Sequence, residues 1–355
     1  MEDRRESLLL SEQKGMQQIQ ATTDDTVTLP RLCLPAHPPQ SSACHTPQTT
    51  LLRSALPPVS PAAQHGLQVE EIPTHPAVAG RGEAGRRPGR RAATAGASSR
   101  LCDVGTGWHT GITRRHLPNE DSVVFLQGIC SYHGKFLPFS LFVVADGMGG
   151  HDGGQTASHL AMHSMMYTVL QSIASGSELS DEYLVDMLIG GVEWANLAVY
   201  QRGIEKNSDM GTTLTAALVL GSRAYLANVG DSRIYLLREG ERLLQITRDH
   251  SLVAQLAAQG AITPDEIYTH PERHMITRCL GSNNTIEVDW FIAELLPRDR
   301  LLLCSDGLWE MVRDSDIERL LRFSPSPQDA CDLLVQAALH GGGRDNVSVI
   351  VVQVP

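Results

Sequence analysis

The seven cysteines include no C-x-x-C pair, and no cysteine is followed six positions later by arginine. The first absence points to free thiols in a reducing compartment. The second removes the phosphate loop of cysteine-dependent phosphatases. No apolar stretch approaches the length of a membrane span. The apolar run in MEDRRESLLLSEQ is too short for a signal peptide. A cytoplasmic protein without membrane contact is the expectation. Basic clusters are missing where the apolar runs lie. Residues 1–100 hold 11 Lys/Arg and 9 Asp/Glu, leaving 18 basic and 31 acidic residues for the remainder of a chain whose net charge is −11. Nucleic acid, which demands clustered cations, is therefore not an expected partner.

What is present divides near residue 100. Residues 1–100 mix recurrent proline (Pro30, Pro35, Pro38, Pro39, Pro57, Pro58, Pro61) with Ser, Thr, Gln and Ala. Such a composition cannot offset its ordering entropy, so a disordered extension is expected. Its cluster Arg86, Arg87, Arg90, Arg91 reads as solvated linker rather than a site for an acidic partner. From residue 101 to 355 the pattern is that of one domain. Strands are expected at 122–126, 140–145, 212–220, 223–229, 233–238, 242–246, 286–295, 300–304 and 347–354. Helices are expected at 155–175, 181–202, 252–259, 314–323 and 327–340, with Ser180 as a cap and Arg238–Glu241 as a hairpin turn. Strands in runs with helices inserted in blocks indicate an α+β sandwich rather than a parallel doubly wound sheet.

Acids recur where apolar runs end. FVVADGMGGHDGG delivers Asp146 into a glycine-rich turn, and LLLCSDGLWE delivers Asp306 before Gly307. Asp231 follows Gly230 between two strands, Asp345 precedes the last strand, and Glu120 and Asp121 precede the first. Any one of these is more often an ordinary turn. Five such places in one domain suggest a shared purpose. Carboxylates gathered at one sheet edge repel unless a cation compensates them. Oxygen donors without an obvious Cys or His set suit Mg²⁺ or Mn²⁺ better than Zn²⁺.

The ordered series N-E-D (119–121), D-G-M-G-G-H (146–151), G-T-T (211–213), N-V-G-D-S-R (228–233), D-H-S (249–251), T-R-C-L-G (277–281), S-D-G-L (305–308) and R-D-N (344–346) resembles the metal-dependent serine/threonine protein phosphatases of type 2C, in their compact bacterial form. The likeness spans roughly residues 103–354. It implies two antiparallel sheets flanked by helices in four layers, with two metal ions in a cleft at one end. It further implies that Asp146 bridges both ions, that Asp306 and Asp345 bind the first, and that the Gly147 carbonyl binds the second with Glu120 nearby. Asp121 would stand behind these ligands, Asp231 and Asp306 would match positions for a third ion, and residues near 250–276 would form a flap. The implied reaction is hydrolysis of phosphoserine and phosphothreonine in proteins by metal-activated water, opposite a cognate kinase, with the enzyme a monomer. A small-metabolite phosphohydrolase and a silent regulatory module of the same fold remain alternatives.

One position departs from the family pattern. The phosphate-gripping arginine is expected four residues before the glutamate, where His116 stands in TRRHLPNED. An extended segment alternates its side chains, so Arg115 and His116 cannot both enter the cleft without a bulge. Arg115 is the favoured clamp and His116 its rival. His151 is either a general acid for the leaving alkoxide or a turn residue. The remaining histidines, His270 and His274 among them, read as surface or structural. Cys279 and Cys304 lie in apolar segments where buried, inert thiols are expected.

Overall fold

A computed structural model describes residues 101–149, 153–175 and 179–355. The expected extension, its arginine cluster and His151 lie outside these residues. In chain order the strands are β1 (Asp103–His109), β2 (Asp121–Tyr132), β3 (Lys135–Met148), β4 (Gly211–Thr212), β5 (Leu214–Leu220), β6 (Arg223–Val229), β7 (Arg233–Leu237), β8 (Leu244–Gln245), β9 (Asp289–Glu294), β10 (Arg300–Cys304) and β11 (Val347–Gln353). The helices are α1 (Gly153–Ala174), α2 (Asp181–Lys206), α3 (Leu252–Ala258), α4 (Asp306–Trp309), α5 (Asp314–Phe323) and α6 (Pro327–His340), with a 3-10 turn at Pro264–Tyr268.

Two antiparallel sheets result. One has the order β1-β11-β10-β7-β8, the other β2-β3-β5-β6-β9, with β4 paired to β3. Side chains alternate between two buried faces, which is why the strands read as continuous apolar runs. On β3, Phe142 and Val144 join Leu226, Ile234, Leu301, Leu303, Ile350 and Val352 in the core between the sheets. Leu141 and Val143 face the opposite way, into a cluster with Met165 and Val169 of α1 and Leu184 and Leu188 of α2. On the second sheet Leu302, Val349 and Val351 pack against Trp309, Ile317 and Leu334 of α4, α5 and α6. Helix, sheet, sheet, helix is the four-layer sandwich expected from the sequence.

Local signals explain the ends of elements. The Ser180 hydroxyl accepts from the Tyr183 backbone N–H at 3.3 Å, and Asn207 closes α2 in the left-handed region. Glu241 N–H donates to the Arg238 carbonyl at 3.1 Å, closing the expected turn between β7 and β8. Two expectations were too short. β2 and β3 continue as a hairpin out to Tyr132 and Lys135, joined through His133 and Gly134, both at positive φ. The Phe139 ring fills the space that a side chain at Gly128 would take, so the glycine does not interrupt β2. β1 was not expected at all, because glycine breaks its pattern. Gly105 is there because the Pro327–Gln328 backbone of α6 leaves no room for a Cβ.

Candidate active site

The sheet edge that collects the acids opens into a cleft of about 550 Å³, lined by Arg114, Glu120, Asp146, Asp306 and Asp345 among others. Pairing builds it. Asp121 and Asp146 stand directly opposite each other on β2 and β3. The main chain of Asp146 is pinned on both sides: its N–H donates to the Thr213 hydroxyl at 2.9 Å, and its carbonyl accepts from Thr213 N–H at 2.8 Å and the Thr212 hydroxyl at 2.9 Å. Gly147 N–H donates to the Glu120 carbonyl at 3.2 Å. Gly147 packs so closely on Gly154 that a Cβ at Gly147 would overlap the Gly154 carbonyl, and a Cβ at Gly154 would stand 2.6 Å from Glu120 Oε1. The glycines after Asp146 thus allow β3, the start of α1 and the Glu120 carboxylate to meet. Asp306 opens α4, and a Cβ on the following Gly307 would overlap the Asn346 carbonyl.

Charge accumulates here. Burial, then the charges of Asp121, Asp306, Asp345 and Asp231, push the Asp146 carboxyl well above its ordinary range. Burial, then Asp231, Asp345, Glu310 and Asp121, do the same to Asp306. Burial lifts Asp121 to about 6 even though Ser305 donates to its Oδ2 at 2.8 Å. Burial and the neighbouring Asp249 lift Asp231 to about 7. Four buried carboxylate oxygens, Asp121 Oδ1, Asp231 Oδ1, Asp306 Oδ1 and Glu310 Oε1, have no hydrogen-bond partner among the described residues. Desolvated acids without donors are costly unless a cation takes their lone pairs. The donor set therefore fits hard divalent cations.

The arginine in the cleft stands one position before the expected one. Residues 112–117 form a turn, not an extended strand, with Leu117 N–H donating to the Arg114 carbonyl at 2.8 Å. Arg114 is the residue that enters the cleft, donating from one guanidinium nitrogen to Asp345 and from the other to Glu120. Burial works against its charge, but those two acids hold its pKa above the ordinary value. Arg115 and His116 both point to solvent, Arg115 Nε lying 3.1 Å from His116 Nε2.

Other residues were missed. Asn346 ties the cleft floor together: its Oδ1 accepts from Glu120 N–H at 2.8 Å, and its Nδ2 donates to the Thr110 carbonyl at 3.0 Å. It stood inside the R-D-N motif without a role. Glu310 and His274 also line the cleft, His274 as the exposed side chain expected of it. The four-residue spacing of Asp306 and Glu310 carried a signal for one of them; nothing local marked His274. Cys304 is fully buried as expected, whereas Cys279 is half-buried and lines the cleft, its Sγ 2.8 Å from Ser282 Oγ. Burial raises both thiol pKa values, which keeps them protonated and inert.

Asp231 is positioned from behind. Trp309 Nε1 donates to its carbonyl at 3.0 Å, and the Arg233 guanidinium lies 3.7 Å above the Trp309 ring. Arg233 in turn donates to both oxygens of Asp249, with Nη2 2.6 Å from Oδ2, in a pair almost wholly removed from solvent. The flap expected near 250–276 begins where the Ser251 hydroxyl caps α3, and a bridge between Ser251 and Ile276 closes its base.

A sequence profile of the protein phosphatase 2C family matches residues 112–340. The chain belongs to the protein phosphatase 2C family. Family membership makes it a metal-dependent serine/threonine protein phosphatase. It is 36% identical over 215 residues to the serine/threonine phosphatase stp of Listeria monocytogenes, covering 60% of this chain and 84% of that one. It is 41% identical over 239 residues to the serine/threonine protein phosphatase PstP of Mycobacterium tuberculosis, covering 66% of this chain but 42% of that longer one. The crystal structure of PstP superposes with a TM-score of 0.61 at 35% identity over 72% of this chain and 99% of that chain. A structure of the PstP catalytic domain in complex with 2 manganese ions superposes with a TM-score of 0.59 at 35% identity, again over 72% of this chain and 99% of that chain. No helix among the described residues is long and apolar enough to cross a membrane.

Proposed function

We propose that Asp146, Asp306 and Asp345 hold two divalent cations, Mg²⁺ or Mn²⁺, with Glu120, Asp121 and Gly147 around them and Asp231 beside a third position. The observation that carries this is the convergence of Asp121, Asp146, Asp231, Asp306 and Asp345 within electrostatic reach of one another, from β2, β3, the β6–β7 turn, α4 and the approach to β11. When bound, the cations lower the pKa of water and draw charge from the phosphoryl oxygens. The protein's own residues do the rest. Thr212 and Thr213 hold the main chain of Asp146, which fixes the point from which its side chain enters the cleft. Asn346 fixes Glu120 and Asp345 relative to each other. Arg114 presents a planar pair of donors at the cleft wall, the geometry that grips two oxygens of a phosphate monoester.

A phosphorylated protein is the substrate, and a serine/threonine kinase is the activity that must supply it. In this reading the enzyme works as a monomer. Residues 101–355 constitute the phosphatase domain, and residues 1–100 are an extension the chemistry does not need.

Turnover of a phosphothreonine peptide, measured with Mn²⁺, with Mg²⁺ and after chelation, tests this reading. Loss on chelation and recovery with either ion is expected. Faster turnover of a sugar phosphate than of the peptide would favour a small-metabolite phosphohydrolase instead.

A further inference from the structure

We propose that His274, Asp306 and Glu310 form a site for a first-row transition cation, Mn²⁺ or Zn²⁺, that fastens the flap to α4 and that Mg²⁺ does not fill. One ligand atom from each of the three lies within 4.8 Å of the others. Asp306 and Glu310 are four residues apart, at the start of α4 and at its C-cap, so both carboxylates project from one helix face. His274 reaches them from the flap.

Two observations point to a shared ligand rather than a simple ion pair. The Glu310 side chain is 6% exposed, and its Oε1 has no hydrogen-bond partner, nor has Asp306 Oδ1. His274 Nδ1 lies 3.1 Å from that same Oε1 without hydrogen-bond alignment. Two ligand atoms bonded at right angles to one ion, at about 2.2 Å each, sit about 3.1 Å apart. The other oxygen of Glu310 accepts from Arg273 Nε at 3.3 Å, which fixes the carboxylate with Oε1 turned toward His274 and Asp306.

Donor chemistry chooses the metal. Mg²⁺ strongly prefers oxygen and keeps its waters, whereas an imidazole nitrogen with two carboxylates suits Mn²⁺ or Zn²⁺. This set differs from the all-oxygen pair Asp231 and Asp306 that the sequence resemblance gave for a third ion. Its consequence is mechanical. Arg273, His274 and Ile276 form one wall of the cleft. Anchoring His274 to α4 ties that wall to the helix that carries Asp306.

The inference rests on the reading that the cleft takes divalent cations, and the test separates the two. The full chain is loaded with Mn²⁺, and nitrogen coupling to the bound ion is read by electron spin echo modulation. The wild type should show ¹⁴N coupling that disappears in His274→Ala and persists in His270→Ala. Backbone hydrogen exchange across residues 252–276 should be roughly tenfold slower in Mn²⁺, at about ten times its dissociation constant, than in Mg²⁺. That difference should vanish in His274→Ala and in Glu310→Gln. His274 is more than half exposed, so its alanine variant should fold. Bound Mn²⁺ without nitrogen coupling, coupling that survives in His274→Ala, or equal exchange in the two ions would overturn the site. A wild type that takes up no Mn²⁺ at all would overturn both this inference and the metal reading of the cleft.

Discussion

Asp121 and Asp146 face each other across adjacent antiparallel strands, two acids in a position where sheets ordinarily place partners of opposite charge. Neither is paired with a cation among the described residues, and the Asp121 charge raises the cost of ionising Asp146. Asp146→Asn removes a charge while keeping shape and the main-chain bonds to Thr212 and Thr213. We expect turnover to fall by at least about 10³-fold, the loss typical when a principal electrostatic stabiliser is removed. Thermal stability in chelator should be unchanged or higher. Asp306→Asn should behave alike. Near-wild-type kcat in either variant would contradict the assignment of these two acids as ligands.

The same burial sets a pH dependence of the metal-free protein. Asp121 titrates at about 6 and Asp231 at about 7 in the fold, against about 3.9 in an unfolded chain. Between those values the folded state binds more protons than the unfolded one. Their stabilising contribution is therefore complete below about pH 3.9 and is lost as the pH rises to about 7. In chelator, the melting temperature of the wild type relative to Asp231→Asn should fall across that window. Divalent cation should remove the fall. A difference that stays flat from pH 4 to 8 would show that Asp231 is not held protonated.

The behaviour of Arg233 and Asp249 is a matter of stability first. Their side chains are each 4% exposed, and the pair is bidentate. Removing one partner strands a buried charge, which costs roughly 3–5 kcal/mol. Asp249→Ala should lower the unfolding free energy in urea by about that amount, and Arg233→Ala similarly. The double variant should lose much less than the sum. Because Trp309 links Arg233 to the Asp231 carbonyl, Asp249→Ala should also weaken cation binding. Additive losses in the double variant would show that the pair does not act as a unit.

The sandwich was legible because its strands are buried on both faces. Runs such as Arg223–Val229 and Arg300–Cys304 therefore announce themselves without alternation. Acids at the ends of those runs were legible for the same reason: a carboxylate after four buried residues needs an explanation. What sequence hid was anything fixed by close approach between distant segments. Gly105 in β1 and Gly128 in β2 look like breaks until α6 and the Phe139 ring occupy the space beside them. His274 lies in an exposed, irregular stretch, and only the packing of that stretch against α4 brings it to Glu310. The arginine that enters the cleft stands one position before the expected one, because the turn at residues 112–117 directs Arg114 rather than Arg115 toward Glu120 and Asp345.

Every strand and helix among the described residues falls between Asp103 and Gln353, while the first hundred residues have a composition unsuited to a core. A chain of residues 101–355 should fold cooperatively and keep kcat/KM on a phosphopeptide within about threefold, a change below about 0.7 kcal/mol. Failure of this shorter chain to fold, or a loss of tenfold or more, would give the extension a structural or catalytic part.

The clamp offers the sharpest contrast between neighbours. Arg114 reaches Asp345 and Glu120 inside the cleft, whereas Arg115 turns outward to His116. A phosphate monoester entering beside these acids needs cationic donors, and Arg114 already carries its charge there against partial burial. Hydrogen bonds to a charged partner contribute about 1.5–3 kcal/mol. Arg114→Ala should therefore raise KM for a phosphopeptide by roughly 10- to 100-fold with a smaller effect on kcat. Arg114→Lys should restore only part of it, because an ammonium cannot grip two oxygens in one plane. Arg115→Ala and His116→Ala should each leave KM within about twofold, since exposed polar contacts contribute little. If Arg115→Ala proves the damaging change and Arg114→Ala the mild one, the turn at residues 112–117 must rearrange when substrate binds, and Arg114 would be a partner of the acids alone.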